Sequence, residues 1–180
     1  MLSLIHSDFM DTDDVISFFG QLGVDLEDPV TLVVSCYFKA KRMGEYAKSE
    51  FVQGMVALSC DSLDKLRDKV PELRKELRTN LQEVYKFTFS FSLDPGCKSL
   101  ALAPAVELWK ILLGPLKSRL VGLWLEYLVE VKKPVSISKD TWNMFFLFEG
   151  ATREQGLEGY NEEDAWPLLI DEFVAHLREK

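Results

Sequence analysis

From Trp142 to Phe148 the chain reads Trp-Asn-Met-Phe-Phe-Leu-Phe, which is apolar on nearly every side once wound as a helix. A helix without a polar face has to be covered all round, so this stretch predicts a central helix enclosed by others. Ser138 precedes it as a cap, and Asp140 falls in the first turn, where an acid suits the helix dipole. Upstream, Leu116, Leu120, Trp124 and Leu128 recur every four residues, the spacing of a packed helix that Lys132-Lys133-Pro134 closes. Downstream, a last helix from Pro167 turns Leu169, Ile170, Phe173, Val174 and Leu177 inward.

The rest of the chain supplies further helices. Asp13 and Asp14 open one with Val15, Phe18 and Phe19 at helical spacing. Asp28-Pro29 starts the next. The run Val30 to Phe38 is β-branched and nearly continuous, so its pattern alone also allows a buried strand. The proline start and the charged end, Lys39-Ala40-Lys41-Arg42, favour helix. Ala47 to Ser59 carries Phe51, Met55, Val56 and Leu58 as a stripe, and a helix from Asp61 carries Leu63, Leu66, Val70 and Leu73. Pro71 is expected to kink or divide that helix. Phe87 to Leu93 alternates like a strand, yet an isolated strand leaves its backbone groups unpaired, so it reads as helix. Ala103-Pro104 begins a helix with Val106, Leu108, Trp109, Ile111 and Leu112, and Gly114-Pro115 ends it. The expectation is an all-α orthogonal helical bundle without an internal repeat, in one domain that admits a smaller N-terminal lobe.

Composition excludes several function classes. The chain has 180 residues, 47% of them hydrophobic, enough for a substantial core. Its net charge of -8 repels nucleic-acid phosphates and anionic membranes, and suits a basic protein partner. No apolar run reaches the roughly 18 residues of a membrane span. The start, Met1 to His6, lacks the basic, apolar form of a signal peptide, and position 2 is not the glycine of a myristoylation site. Three widely spaced cysteines, Cys36, Cys60 and Cys97, fit neither a disulfide framework nor zinc, and they place the chain in a reducing compartment, cytoplasm or nucleus.

Residues arranged for catalysis or metal binding are sparse in this sequence. The two histidines, His6 and His176, read as solvated side chains without an orienting partner. Asp8, Asp11, Asp13 and Asp14 cluster before a helix, but neither register from Asp8 or Asp11 places glycine at position 6 and glutamate at position 12 of a calcium loop. These acids read as helix-start residues, against a calcium-responsive adaptor. No thiol has the basic surroundings that a cysteine hydrolase needs.

Two segments remain: Ser138-Lys139-Asp140-Thr141-Trp142-Asn143, and Tyr160-Asn161-Glu162-Glu163-Asp164-Ala165-Trp166-Pro167 continuing to Phe173. Both set a small residue or carboxylates among large aromatics, the composition of a protein docking surface. On physics alone Asp140 and Asp171 are ordinary acids, Asp164 is a cap for the last helix, and Ala165 is a spacer.

These segments, with Glu50-Phe51, Gly54-Met55, Cys60-Asp61-Ser62, Lys65-Leu66, Phe87-Thr88-Phe89 and Trp109, resemble the potentiating-neddylation (PONY) domain of the defective-in-cullin-neddylation family. The resemblance runs from about Asp13 to Phe173, which implies a tail over 1–11, the domain over 12–176 and a C-terminal end over 177–180. It further implies an EF-hand-like N-terminal lobe that binds no calcium, no cofactor and a non-catalytic scaffold role. Such a scaffold binds a cullin C-terminal domain and the acetylated N-terminus of the neddylation E2, beside a RING-box protein, as a monomer in nucleus and cytoplasm. By motif match the cullin contacts are Asp140, Ala165 and Asp171, and the E2 pocket is walled by Val15, Val34, Tyr46, Phe91 and Ile111. The alternative is an EF-hand-like helical adaptor that does not promote ligation. Thr12, Thr31, Met43 and Gly44 depart from the family pattern, no ubiquitin-associated domain precedes the match, and the first helix of the lobe reads as shortened or missing.

Overall fold

The computed structural model describes residues 8–179, without the side chains of Glu154 and Gln155. The readings of Met1 to His6, of His6 itself and of a shortened first helix lie outside the described residues. The chain separates into two compact units, one ending at Ser92 and the other beginning at Leu93.

The first unit runs β1 (Phe9–Met10), α1 (Thr12–Gln21), α2 (Val30–Phe38), β2 (Tyr46–Ala47), α3 (Lys48–Ala57), α4 (Leu63–Thr79) and α5 (Leu81–Phe91). The acids of its start are spent on capping. Asp11 accepts from the Asp14 N–H at 3.0 Å, and Asp14 accepts from the Asp11 N–H at 3.3 Å, a reciprocal box that opens α1. Asp28 accepts from the Val30 N–H at 2.9 Å and starts α2. The ambiguous run is therefore a helix, and Val30, Val33, Val34 and Phe38 are all buried. Phe38 is the hub of the unit, with its ring 5.3 Å from that of Tyr46 and 5.4 Å from that of Phe51. Gly54 on α3 makes room for it: a Cβ there would stand 1.8 Å from the Phe38 ring.

The readings of Val56 and Pro71 are corrected here. Val56 is 72% exposed, because the buried face of α3 is Phe51, Gly54 and Met55, followed by Leu58. Pro71 does not divide its helix: α4 is continuous over 17 residues from its cap at Ser62, with the proline on the solvent side. The alternating run that begins at Phe87 is helical as expected, up to Phe91, with Thr88 bonding back to the Val84 carbonyl at 2.7 Å and Phe89 and Phe91 buried. Gly44 has φ +80, and a Cβ on it would lie 3.3 Å from the Thr12 hydroxyl.

The second unit runs β3 (Ser99–Ala101), α6 (Leu102–Leu113), a 3-10 turn (Gly114–Leu116), α7 (Arg119–Glu126) continuing as a π-helical turn (Tyr127–Lys132), β4 (Ser136–Ser138), α8 (Lys139–Gln155), a second 3-10 turn (Gly156–Gly159) and α9 (Leu168–Arg178). Its core is aromatic. Trp109 stacks on Trp142 at 4.9 Å, and Trp124 stacks on Phe145 at 4.5 Å and meets Phe173 edge-on at 5.1 Å. The expected all-round burial of α8 is corrected: Leu147 is 48% exposed, and Met144 and Phe146 are half-buried. Its buried line is Trp142, Phe145, Phe148, Glu149 and Thr152, a single stripe at helical spacing. In the four-residue repeat, Leu116 and Leu120 are only half-buried, and the packed stripe is Val121, Trp124 and Leu128.

Among the described residues the chain is thus predominantly helical, with two short antiparallel strand pairs that the sequence reading did not contain. Met10 lies opposite Tyr46 in one pair, and Leu100 opposite Ile137 in the other. Each strand leads into a helix, so both units carry the order strand, helix, helix, strand, helix. The repeat is one of topology. Among the described residues no helix is long and apolar enough to cross a membrane, and no three His, Cys, Asp or Glu side chains could share a metal ion.

Candidate functional site

Asp171 and Ala165 are organised by the loop that precedes α9. The Asn161 carbonyl accepts from the Asp164 N–H at 3.2 Å and from the Trp166 indole at 3.0 Å, folding the loop back on itself. The Asn161 side chain accepts from the Glu163 N–H at 3.1 Å and donates to Asp164 at 3.3 Å. Asp164 therefore closes this turn and does not cap α9, which begins at Leu168 after Pro167. Ala165 is left exposed between Asp164 and Trp166.

Asp171 lies in the first turn of α9, half-buried, where a carboxylate is favoured by the helix N-terminus. Its Oδ1 accepts a hydrogen bond from the Tyr160 hydroxyl at 2.7 Å. The Tyr160 ring stacks on Trp166 at 6.2 Å and meets Phe148 of α8 edge-on at 6.1 Å. The Trp166 ring also meets Phe148, at 5.7 Å. Through Tyr160 and Trp166, then, Ala165 and Asp171 share one support. Asp140 stands exposed in the first turn of α8, after Ser138 has capped that helix through the Thr141 N–H at 3.0 Å. The contacts that join Ala165 and Asp171 reach α8 at Phe148, about two turns further along the helix.

The surroundings are acidic. From Glu154 to Glu172 the sequence has seven carboxylates and no Lys or Arg. Two of them meet cations from elsewhere in the unit, Glu162 with Arg178 and Glu172 with Lys132 at 2.7 Å. Arg178 also lies over the Tyr160 ring, 5.6 Å from its centre. Burial first, and then the bond to Asp171, push the Tyr160 hydroxyl up to about 12.

The residues matched to the E2 pocket fall in both units. Val15, Val34, Tyr46 and Phe91 belong to the first and are buried in its core. The Tyr46 hydroxyl is 2.7 Å from that of Ser35, and Phe91 stacks on Phe87 at 5.0 Å. Ile111 belongs to the second unit and is half-buried on α6.

The thiols are poor nucleophiles where they are covered. Burial, then Glu83 and Glu76, push Cys36 up to about 11, and burial also raises Cys60, whose thiol donates to the Leu58 carbonyl at 3.4 Å. Cys97 is exposed in a loop. His176 is not simply solvated: its ring packs 5.2 Å from that of Tyr127. Sequence reasoning missed the parts played by Tyr160 and Arg178. Tyr160 is 11 residues from Asp171 with a loop between, and no periodicity signals such a pair.

Comparison with known proteins adds the following. The family described as "Cullin binding" matches residues 65–176, more than half of the chain. "Defective in cullin neddylation protein 1" of Yarrowia lipolytica is 36% identical over 179 residues, which is 96% of this chain and 73% of that protein. The protein of the same name in Caenorhabditis elegans is 31% identical, over 88% of this chain and 60% of its own length. "DCN1-like protein 3" of Rattus norvegicus is 35% identical, over 87% of this chain and 53% of its own length. The chain thus spans from about half to about three quarters of the relatives it matches.

Proposed function

The chain belongs to the cullin-binding family, and from that premise we propose that it promotes cullin neddylation as a non-catalytic scaffold. In this reading the acidic surface of the second unit docks a cullin C-terminal domain through Asp140, Ala165 and Asp171. The carboxylates pair with basic side chains, the small Ala165 permits close approach, and the neighbouring acids steer the encounter. The observation that carries the reading is the run of seven carboxylates without a Lys or Arg, folded so that exposed Ala165 and bonded Asp171 share one aromatic support.

The acetylated N-terminus of the neddylation E2 is the second partner in this reading, with Val15, Val34, Tyr46 and Phe91 of the first unit matched to its reception, and a RING-box protein belongs to the same assembly. Holding E2 and cullin on one platform raises their effective concentration and removes unproductive orientations. Transfer of the ubiquitin-like modifier to a cullin lysine then needs no reacting group from this chain. Nucleus and cytoplasm are the compartments that suit its thiols.

Calorimetry with a purified cullin C-terminal domain tests the docking. Asp171→Arg puts a cation where the partner's cation would lie and is expected to reduce affinity at least a hundredfold, on the order of 3 kcal/mol, with the helical circular dichroism retained. Unchanged affinity would sink the assignment. Transfer of the modifier from charged E2 to cullin, measured with and without the chain, tests the scaffold role; an unaltered rate with every cullin tried removes it.

A further inference from the structure

We propose that Tyr160 is a positioning residue of the docking surface: its hydroxyl holds the Asp171 carboxylate in the orientation that a basic side chain of the cullin meets. This rests on the reading of Asp171 as a cullin contact. The Tyr160 ring is held by three neighbours of different kinds. Trp166 stacks against it at 6.2 Å, Phe148 meets it edge-on at 6.1 Å, and the Arg178 guanidinium lies 5.6 Å from its centre. A ring so held has little rotational freedom, so the position of its hydroxyl is set before any partner arrives.

That hydroxyl lies 2.7 Å from Asp171 Oδ1. A hydrogen bond to a carboxylate is stronger than one between neutral groups, and it selects one rotamer of a short side chain. The ordering entropy of that side chain is then lost on folding and not on association. Among the described residues the side-chain hydrogen bond of Asp171 is made at Oδ1, which leaves Oδ2 for a partner's cation. The nature of the donor matters too. Glu162 and Glu172 are held by Arg178 and Lys132, which offset their charge. Tyr160 is a neutral donor, so it orients the carboxylate without cancelling it.

Tyr160→Phe keeps the ring and deletes only the hydroxyl. The expected result, read by surface plasmon resonance on an immobilised cullin C-terminal domain, is dissociation about tenfold faster. The association rate and its dependence on salt should not change, because net charge and steering are untouched. The thermal midpoint should move by no more than a few degrees. In a separate titration of ring-labelled tyrosine followed by NMR, Asp171→Asn should lower the Tyr160 midpoint from about 12. Unchanged dissociation, a fall in association that tracks a lowered melting point, or a Tyr160 midpoint indifferent to Asp171→Asn each overturns the proposal. If the unaltered chain binds cullin while Tyr160→Phe dissociates no faster, the inference fails alone. If the unaltered chain binds no cullin C-terminal domain, the docking assignment fails and takes the inference with it.

Discussion

Gly54 shows how one missing side chain organises a core. In an exposed helix, exchanging glycine for alanine gains about 1 kcal/mol from lower backbone entropy in the unfolded chain. Here the added Cβ would fall 1.8 Å from the ring of Phe38, which is itself fully buried. Phe18, Tyr46 and Phe51 surround that ring, so it has nowhere to retreat. Overpacking of this kind costs about 1–3 kcal/mol, and a contact this short sits at the upper end. Gly54→Ala is therefore expected to lower unfolding free energy by about 1–2 kcal/mol after the entropy gain, read from the urea midpoint. A midpoint that rises would show that Phe38 can move. The composition of α3 gives no warning of this, because the contact is with a residue on α2. The pairing of Tyr160 with Asp171 is hidden for the same reason. Sequence neighbours fix a side chain's face, but its partner comes from another element.

Helix α4 displays what elements do for one another. Its cations reach the ends of three other helices. Arg67 donates to the Gln21 carbonyl at 2.6 and 3.0 Å, and Lys69 to the Leu58 carbonyl at 2.8 Å, both at helix C-termini where a cation is favoured. Arg74 pairs with Asp28 at 2.7 Å, beside the start of α2. With these ties and the buried stripe Leu66, Val70 and Leu73 in place, tertiary packing overrides the break expected at Pro71. The proline still lacks an N–H for the Arg67 carbonyl and crowds the preceding turn, at a cost of about 3 kcal/mol in a helix interior. Its stiffening of the unfolded chain returns only about 0.4–1 kcal/mol. Pro71→Ala is accordingly expected to stabilise the chain by about 2 kcal/mol, seen as a higher urea midpoint; a lower midpoint would mean that the proline ring itself is used in packing. Most helices were legible because caps and apolar spacing agree, as at Asp28-Pro29 ahead of Val30. What was illegible follows from physics as well. Strands of two or three residues are too short to show alternation, and the extra apolar residues of α8 could not reveal that Leu147 faces outward.

At the scale of the whole molecule, the tyrosines couple stability to alkaline pH in both units. Burial, then the Glu76 side chain, push Tyr37 up to about 12, and burial, then Asp171, do the same for Tyr160. Burial also raises Tyr46 and Tyr127. Tyr37 and Tyr46 belong to the first unit, Tyr127 and Tyr160 to the second. In each case the fold favours the neutral phenol. The unfolded chain releases these protons near pH 10 and the folded chain holds them to higher pH, so above 10 the unfolded state binds fewer protons and stability falls as pH rises. Below about pH 10 both states are protonated and this contribution is constant. The window for Tyr37 and Tyr160 therefore lies between about 10 and about 12. Tyrosinate absorbance near 295 nm should lag the titration of free tyrosine, then rise together with loss of helical circular dichroism inside that window. Tyr37→Phe should shift the coupled transition to higher pH, because one phenol no longer favours unfolding when it ionises. Tyrosinate absorbance that is complete near pH 10 while the helices persist would show that these hydroxyls are not held as the structure holds them.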